Sequence, residues 1–395
     1  MSNTNRYTPL PSISRDNSQP DVLLDEIDAE VETAPDVEDD VEYAGAGDQP
    51  DEDVGPFTAA DVWPKLEGHM TALMKYAEFA CDECWGAIEY IYNLTVDAGQ
   101  CQNQDVMQPW QHQFGQKFAK KLTEHGFVEV CQKMWKMHLN EEVFQLGEDD
   151  RLWKTVNGAS RIMWNMIDKS TDMSERVVQA NLHADILKYL STESFKLNLL
   201  QRDKSRRRVV RNFLSILHDV VRRATGARNA LRGCRAIEIL QPFRKFTENR
   251  EISFYALVVQ AYIVKEDENE HLNSDIEIFK FLVELLDAAI RHAYQYGLEF
   301  SVVEVLEVIN KLAVNDGNKQ RIVEAGALPY YVKLLQPDRR QAEQKKAAHG
   351  LWILGFKCRD AVRKEPGCIP GKLLLVSAER PCHYSTDQRN TSIVR

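Results

Sequence analysis

One stretch decides the fold of this 395-residue chain: Asn310-Lys-Leu-Ala-Val-Asn-Asp-Gly317-Asn-Lys-Gln-Arg-Ile-Val-Glu-Ala-Gly326-Ala-Leu-Pro329-Tyr-Tyr-Val-Lys-Leu-Leu335. A helix that ends in Leu-Ala-Val meets an Asn-Asp-Gly turn, and a short helix is expected to follow that turn. Gly326 then allows a sharp bend where a side chain would clash, and Pro329 suits the first turn of the next helix. The stretch therefore predicts one corner of a solenoid of stacked helices.

The same pattern recurs along the chain. Ala347 to Leu354 has the pattern of a long third helix, and Glu365 to Pro370 predicts a second corner of the same kind. Weaker corners lie upstream, which places the corner anchors at residues 126, 181, 233, 274, 326 and 367. Their spacing is close to the roughly 40–47 residues of known helical repeats, with room for insertions. From Phe57 onward apolar residues follow a helical period, so the body is predicted to be all helix.

These stretches resemble the armadillo repeat, whose pattern is an Asn-rich turn, an Ile-Val/Glu-Ala-Gly-Ala-Leu-Pro corner and a Leu-Val-x-Leu-Leu helix. The resemblance implies an all-α fold, an armadillo-like right-handed α-solenoid. One such unit cannot cover its own apolar face, so neighbouring units must stack. The stack is expected to form a groove, lined by the third helix of each unit over roughly residues 120 to 370, that binds a protein segment.

Composition divides the chain into four parts. Residues 1–56 are predicted to be a disordered acidic arm, because they contain six prolines, few large apolar groups and, from Asp21 to Asp53, fifteen acids without a Lys or Arg. Residues 57–120 are expected to be an N-terminal helical segment, 121–370 the armadillo-like repeats, and 371–395 an irregular tail. The arm is either a solubilising tail or a segment that docks on the basic part of the chain.

A basic block runs from Arg202 to Lys245 and holds thirteen Lys or Arg against three acids. Its densest part, from Lys204 to Arg211, has three interpretations: a solvated helix face, a patch for an anionic partner, or a nuclear-import signal. Four candidate contacts for an acidic partner lie in it: Arg206, Arg207, Arg208 and Arg211. Nucleic acid is the less favoured partner, because the chain has a pI of about 5.5.

The resemblance also implies where a peptide would bind. Armadillo proteins that bind extended peptides place an Asn, often with a Trp, on each third helix, where the Asn contacts the peptide backbone. Against the Ala-Trp-Ala-Leu-x-Asn-Leu-Ala form of that helix, His349 takes the Trp position and Ile353 the Asn position, while Lys311 takes the Asn position one repeat earlier. These departures argue against a nuclear-import receptor. Lys311 and His349 remain candidate groove contacts.

No residue pattern points to catalysis, a cofactor or a metal. Cys81-Asp-Glu-Cys84 lies in an apolar helical pattern and is interpreted as a pair of core thiols rather than a zinc site. The chain lacks a phosphate-binding glycine loop, a nucleophile elbow and a closely placed set of His, acid and nucleophile. The seven tryptophans are mostly assigned to core packing.

The chain is thus predicted to be a non-catalytic protein-binding scaffold or adaptor. With irregularly spaced cysteines and neither a signal peptide nor an apolar stretch near 20 residues, it is expected in the cytoplasm or the nucleus.

Two alternatives to this function stay open. Leu312 to Asn315 and Lys364 to Ile369 resemble the helical region of invertebrate proteins that carry a Toll/interleukin-1 receptor (TIR) domain. The resemblance implies an isoform or fragment of an innate-immune or ubiquitin-pathway protein without its effector domain, and the tail lacks helices to cap the array. The second alternative is binding of an anionic surface or nucleic acid through Arg202–Lys245.

Overall fold

The computed structural model describes residues 59–79, 81–97, 109–140, 146, 150–192, 204–246, 249–293 and 300–368. The predicted acidic arm (1–56) and the predicted tail (371–395) lie outside these residues. Within them the secondary structure is helical and contains no strand, so the predicted all-α class is confirmed. No helix of the described part is long and apolar enough to cross a membrane.

The helices fall into three classes that alternate along the chain. The first helices are α3 (Pro109–Glu124), α6 (Thr171–Gln179), α9 (Ala227–Gly233), a 3-10 helix (Glu266–Leu272), α14 (Asp316–Glu324) and α17 (Arg359–Lys364). The second helices are α1 (Ala59–Tyr76), α4 (Phe127–His138), α7 (Leu182–Ser191), α10 (Ala236–Arg244), α12 (Ile276–Ile290) and α15 (Leu328–Leu334). The third helices are α2 (Asp82–Asp97), α5 (Arg151–Ile167), α8 (Lys204–Arg223), α11 (Arg250–Ile263), α13 (Val302–Leu312) and α16 (Gln341–Lys357).

Helices of one class pack on each other from unit to unit. The six third helices form a continuous series in which each contacts the next, from α2 to α16. The second helices α1, α4, α7 and α10 form a parallel series, and α3 packs on α6, which packs on α9. This arrangement is a stack of three-helix units, as the repeat pattern predicted. The boundary predicted at residues 120/121 falls inside α3.

Left-handed residues mark most corners between first and second helices. Five of them lie at or near the predicted anchors: Gly126, Asn181, Arg235, Gly326 and Gly367. The anchor predicted at Gly233 is wrong by two residues, because Gly233 is still the last residue of α9. The corner predicted near Ser274 lies between the 3-10 helix and α12, but its residues Asn273 and Asp275 both have negative φ.

The Asn-rich turn that revealed the repeat forms buried hydrogen bonds between units. The Asn315 side chain caps α14 by accepting from the Asn318 backbone amide at 3.2 Å. Asn318 is fully buried, and its amide donates to the carbonyl oxygens of Leu272 and Leu312 at 2.9 Å each. Its Oδ1 accepts from the Ser274 backbone amide at 3.1 Å. One asparagine therefore satisfies backbone groups from two successive units, which fixes their stacking.

Candidate functional site on the third helices

The third helices α2 and α5 carry asparagines that the sequence comparison missed, because that comparison covered only α13 and α16. Ile88 to Thr95 of α2 and Ser160 to Ile167 of α5 align with the Ala-Trp-Ala-Leu-x-Asn-Leu-Ala form. Asn93 and Asn165 then take the Asn position. The departures that argue against a nuclear-import receptor were found on α13 and α16, and they do not extend to α2 and α5.

Five side chains on these helices form what we call the polar strip: Tyr92, Asn93, Arg161, Trp164 and Asn165. Asn93 is exposed, and the other four are half-buried. The Asn165 side chain donates to the Thr95 hydroxyl at 3.1 Å, and Thr95 in turn donates to the Tyr92 carbonyl at 2.7 Å. Within the described residues, Asn165 Oδ1 and the whole Asn93 amide make no hydrogen bond, so both can take a main-chain partner.

Cations of one third helix cover aromatic rings of the helix before it. The Arg161 guanidinium lies 4.0 Å from the centre of the Tyr92 ring and donates to its hydroxyl. Arg211 repeats the contact on Trp164 at 4.5 Å, and the Lys311 ammonium lies 4.6 Å from the Tyr262 ring. These contacts join α2 to α5, α5 to α8 and α11 to α13. Each contact adds a cation–π attraction between successive third helices.

The four candidate arginines of α8 do not share one environment. The side chain of Arg206 lies outside the described residues. The Arg207 guanidinium lies 5.8 Å from the Phe246 ring, and Arg211 pairs with Glu251 at 3.1 Å and is 17% exposed. Arg208 is half-buried and makes no ion pair with the described residues.

The rest of the basic block is not a continuous patch. Arg222 pairs with Glu304 at 2.9 Å, and Arg232 pairs with Glu268 at 2.6 Å. Arg244 donates to the backbone carbonyls of His271 and Asn273. Beyond the first turns of α8, most of the positive charge predicted from sequence is therefore engaged in ion pairs and hydrogen bonds within the protein.

The middle of the third-helix series is closed by a buried group that we call the central cluster: His218, Asp219, Arg222, Tyr262 and Glu304. The Arg222–Glu304 pair joins the end of α8 to the start of α13, across α11. The ring of Phe300 packs 5.8 Å from that of His218 and covers it. His218 and Asp219 are only 2% and 5% exposed. A ligand on the third helices cannot reach these groups without opening the cluster.

Burial and charge set the protonation of the central cluster. Burial raises the pKa of Glu304, but the stronger combined effect of the Arg222 charge and the hydrogen bonds from Ser301 lowers it to about 2. Burial, and next the charge of Arg222, lowers the pKa of His218 to about 3. Burial raises the pKa of Asp219 well above its usual range, against the opposing charge of Arg222. At neutral pH the cluster therefore holds a neutral histidine beside a charged Arg–Glu pair.

We expect His218→Phe to change how stability depends on pH. Folded His218 stays neutral down to about pH 3, whereas the unfolded chain takes up a proton at this residue below its ordinary value of 6.5. This residue's contribution to stability is therefore present above pH 6.5 and is lost as pH falls, by at most about 1.4 kcal/mol per pH unit. The His218→Phe variant has no imidazole to protonate, so it does not lose this stability as pH falls.

Urea titrations at several pH values between 7 and 5 would measure this effect. The free energy of unfolding of the variant minus that of the wild type should rise as pH falls. The opposite contribution of Asp219 is present in both proteins and largely cancels in the difference. A difference that stays constant over this range would contradict the buried, neutral state of His218.

The last third helix differs from the others in its exposed aromatic rings. Trp352 and Phe356 are 38% and 49% exposed, and their ring centroids lie 4.7 Å apart. His349, a predicted groove contact, is exposed and stacks on Trp352 at 6.0 Å. Lys311, the other, is 22% exposed, and its ammonium is held over Tyr262. The assignment of tryptophans to the core holds for Trp135 and Trp153, which are at most 2% exposed, and is wrong for Trp352.

The described cysteines are free thiols. Cys84 is buried and Cys81 is half-buried, as the apolar pattern around them predicted. No group of three or more His, Cys, Asp or Glu side chains in the described part is arranged to hold a metal ion.

Comparison with known proteins finds solved structures that are similar to this chain, but it finds no matching sequence family. No family model and no curated protein matches the chain. A designed armadillo repeat protein, YIII(Dq)4CqI, matches with a TM-score of 0.42 and 18% identity over 73% of this chain and 99% of its own. A related design in complex with the peptide (KR)4 matches with a TM-score of 0.40, 18% identity and the same coverage.

The repeated three-helix unit described above decides the fold class. The fold is armadillo-like. The resemblance to TIR-containing proteins is not confirmed by any of these matches and stays a prediction. Sequence reasoning could have found the polar strip, because Tyr92-Asn93-Leu94 and Trp164-Asn165-Met166 share an aromatic-Asn-apolar pattern at helix ends. The central cluster gave no such signal, because its members come from distant helices.

Proposed function

We propose that this armadillo-like chain is a non-catalytic scaffold of the cytoplasm or nucleus, and that it binds an extended segment of another protein along α2, α5 and the start of α8. The observation that carries the proposal is the pair of asparagines, Asn93 and Asn165, at equivalent positions of successive third helices. An extended backbone offers alternating donors and acceptors, and a side-chain amide provides one of each. Two such amides one unit apart can therefore hold a peptide without reading its sequence.

The charges beside the strip favour an acidic segment. Arg161, Arg208 and Arg211 face the same stretch of the groove, and among them only Arg211 pairs with a described carboxylate, that of Glu251. Arg206 and Arg207, predicted from sequence for the same role, directly precede Arg208 on α8. Electrostatic complementarity of this kind selects the partner and speeds association.

The central cluster supports the choice of this end of the stack. A peptide that ran on over α11 would have to displace the Arg222–Glu304 pair and the covering ring of Phe300. Breaking a buried ion pair is costly. The uncovered surface from α2 to the start of α8 is therefore the favoured binding region. Binding of an anionic surface through the whole basic block is disfavoured, because Arg222, Arg232 and Arg244 already bind carboxylates or backbone carbonyls of the protein.

Selection of a displayed random-peptide library on the full chain tests the proposal. We expect enrichment of acidic peptides whose fluorescence anisotropy shows saturable binding. Asn165→Ala and Asn93→Ala should each weaken that binding about fivefold to tenfold, because each removes hydrogen bonds to the peptide backbone. Lys188→Ala, an exposed position on the second helix α7, is the matched control and should have no effect.

Two results would contradict the proposal. One is a library from which nothing is enriched on the folded chain. The other is a set of peptides that bind the two asparagine variants and the wild type equally well.

A further inference from the structure

The start of α8 concentrates positive charge where a helix ordinarily carries negative charge. The first turn of α8 contains no acidic residue, and Arg206, Arg207 and Arg208 follow one another from this turn into the second. The amino end of a helix already has a partial positive charge, which acids usually offset. The arginines add to this charge, so the local potential favours a bound anion.

Three guanidinium groups converge at this point, and we call them the arginine cluster: Arg161, Arg208 and Arg211. Two of them are held in place by aromatic faces, Arg161 on Tyr92 and Arg211 on Trp164. Arg208 lies one helical turn before Arg211 on α8. Burial, and next the charges of Arg208 and Arg211, lowers the pKa of Arg161 to about 10. The three like charges are therefore close enough to act on one another.

The described carboxylates do not balance this cluster. Glu251 pairs with Arg211 at 3.1 Å. Neither Arg161 nor Arg208 forms an ion pair with a described residue. Within the described part of the chain, two positive charges of the cluster are therefore unbalanced, and they can bind an external anion.

We propose that Arg161, Arg208 and Arg211 bind a phosphate monoester, carried by a phosphorylated serine or threonine of the segment that lies along the polar strip. This proposal rests on the proposed function, and it identifies the chemical group of the bound segment that contacts the arginine cluster. A phosphate monoester carries about −1.5 to −2 charges at neutral pH and three acceptor oxygens. It matches the two unbalanced charges and the fork geometry of guanidinium groups, whereas one carboxylate would balance only half of the charge.

The depth of the cluster favours a peptide over a membrane. Arg211 is 17% exposed, and Arg161 and Arg208 are half-buried. Aromatic rings orient Arg161 and Arg211. A flat lipid surface approaches exposed side chains, whereas an extended chain can enter between neighbouring third helices. A phosphorylated lipid headgroup presents similar chemistry, so the experiment includes it as a separate arm.

The test uses the full chain and three immobilised peptide libraries with the same degenerate flanks. The libraries differ only in the central residue, which is phosphoserine, glutamate or serine. We expect the phosphoserine library to retain the chain about tenfold or more above the serine library, and above the glutamate library. Arg208→Met should remove most of this gain, and because Arg208 has no described partner, the variant should keep the thermal stability of the wild type.

Two further variants separate charge from geometry. Arg161→Lys keeps the charge but loses the fork and should lose part of the gain. Arg363→Met, an exposed arginine of α17, should lose none.

Each contrary outcome has a distinct meaning. Equal retention by phosphoserine and glutamate would overturn the phosphate assignment but leave the proposed function intact. Failure of all three libraries would count against the proposed function itself. Capture of the chain by vesicles containing a phosphoinositide, dependent on Arg208 and without retention by any peptide library, would overturn the proposal in favour of a lipid surface.

Discussion

Replacing Arg222 with methionine is expected to lower the free energy of unfolding by about 3–5 kcal/mol. The Arg222 side chain is 12% exposed, and its guanidinium lies 2.9 Å from Glu304 and 3.9 Å from Asp219. Methionine keeps most of the side-chain volume but removes the charge. The Glu304 carboxylate, 17% exposed, would then stay buried without its main cation. The measurement is urea denaturation followed by circular dichroism.

An exposed ion pair of the same length serves as the control for this variant. Lys280 and Glu277 also lie 2.9 Å apart, but their side chains are 52% and 67% exposed. Lys280→Ala should leave the unfolding midpoint unchanged, because solvent already screens the pair. The double variant Arg222→Met with Glu304→Gln should recover part of the lost stability. If Arg222→Met lowered the free energy of unfolding as little as Lys280→Ala, the central cluster would not hold α8 to α13.

Gly350→Ala is expected to destabilise the stack by about 2–4 kcal/mol. Gly350 faces the side chains of Tyr331 and Asn310, and an added Cβ would lie 2.8 Å from Tyr331 Cζ and closer still to Asn310 Oδ1. These two side chains are themselves joined, because the Tyr331 hydroxyl donates to Asn310 Oδ1 at 2.8 Å. The alanine methyl would have to push apart a buried hydrogen bond that links α13 to α15.

Gly355 offers a matched control in the same helix. A Cβ added there meets nothing within 4 Å. Gly355→Ala should therefore stabilise the helix, by up to about 1 kcal/mol, because alanine has the higher helix propensity. Thermal unfolding of both variants measures the contrast. Equal stability of the two would show that α16 does not pack closely against α15.

The corners of the solenoid were predictable because they depend on local backbone requirements. Gly126, Gly326 and Gly367 have positive φ, as their place in the repeat required. Arg235 escaped prediction because a non-glycine residue takes the same left-handed conformation, at a cost that the tertiary structure must offset. The corner before α12 has no left-handed residue and so gave no glycine signal.

The candidate site was only partly predictable. The proposed groove on the third helices followed from the repeat pattern, and the proposed preference for an acidic partner followed from Arg208 and Arg211. Arg161 was missed, because it stands alone in its sequence and joins the arginines of α8 only when α5 packs on α8. The ion pair of Arg222 could not be predicted from sequence either, because its partner Glu304 lies on a helix two units further along the chain. The number of charged residues can be counted from the sequence, whereas the packing of the helices determines which of them form ion pairs.

The central claim is that a segment binds over α2 and α5 and not over the closed middle of the stack. The most direct test is the position of a bound peptide, using photo-reactive phenylalanine analogues placed singly at Glu89, an exposed residue one turn before Asn93 on α2, and at Lys311, beside Tyr262 of the central cluster. A selected acidic peptide is predicted to cross-link to the chain at Glu89 and not at Lys311. Cross-linking at Lys311 with none at Glu89 would contradict the account, because it would place the ligand over the middle of the stack.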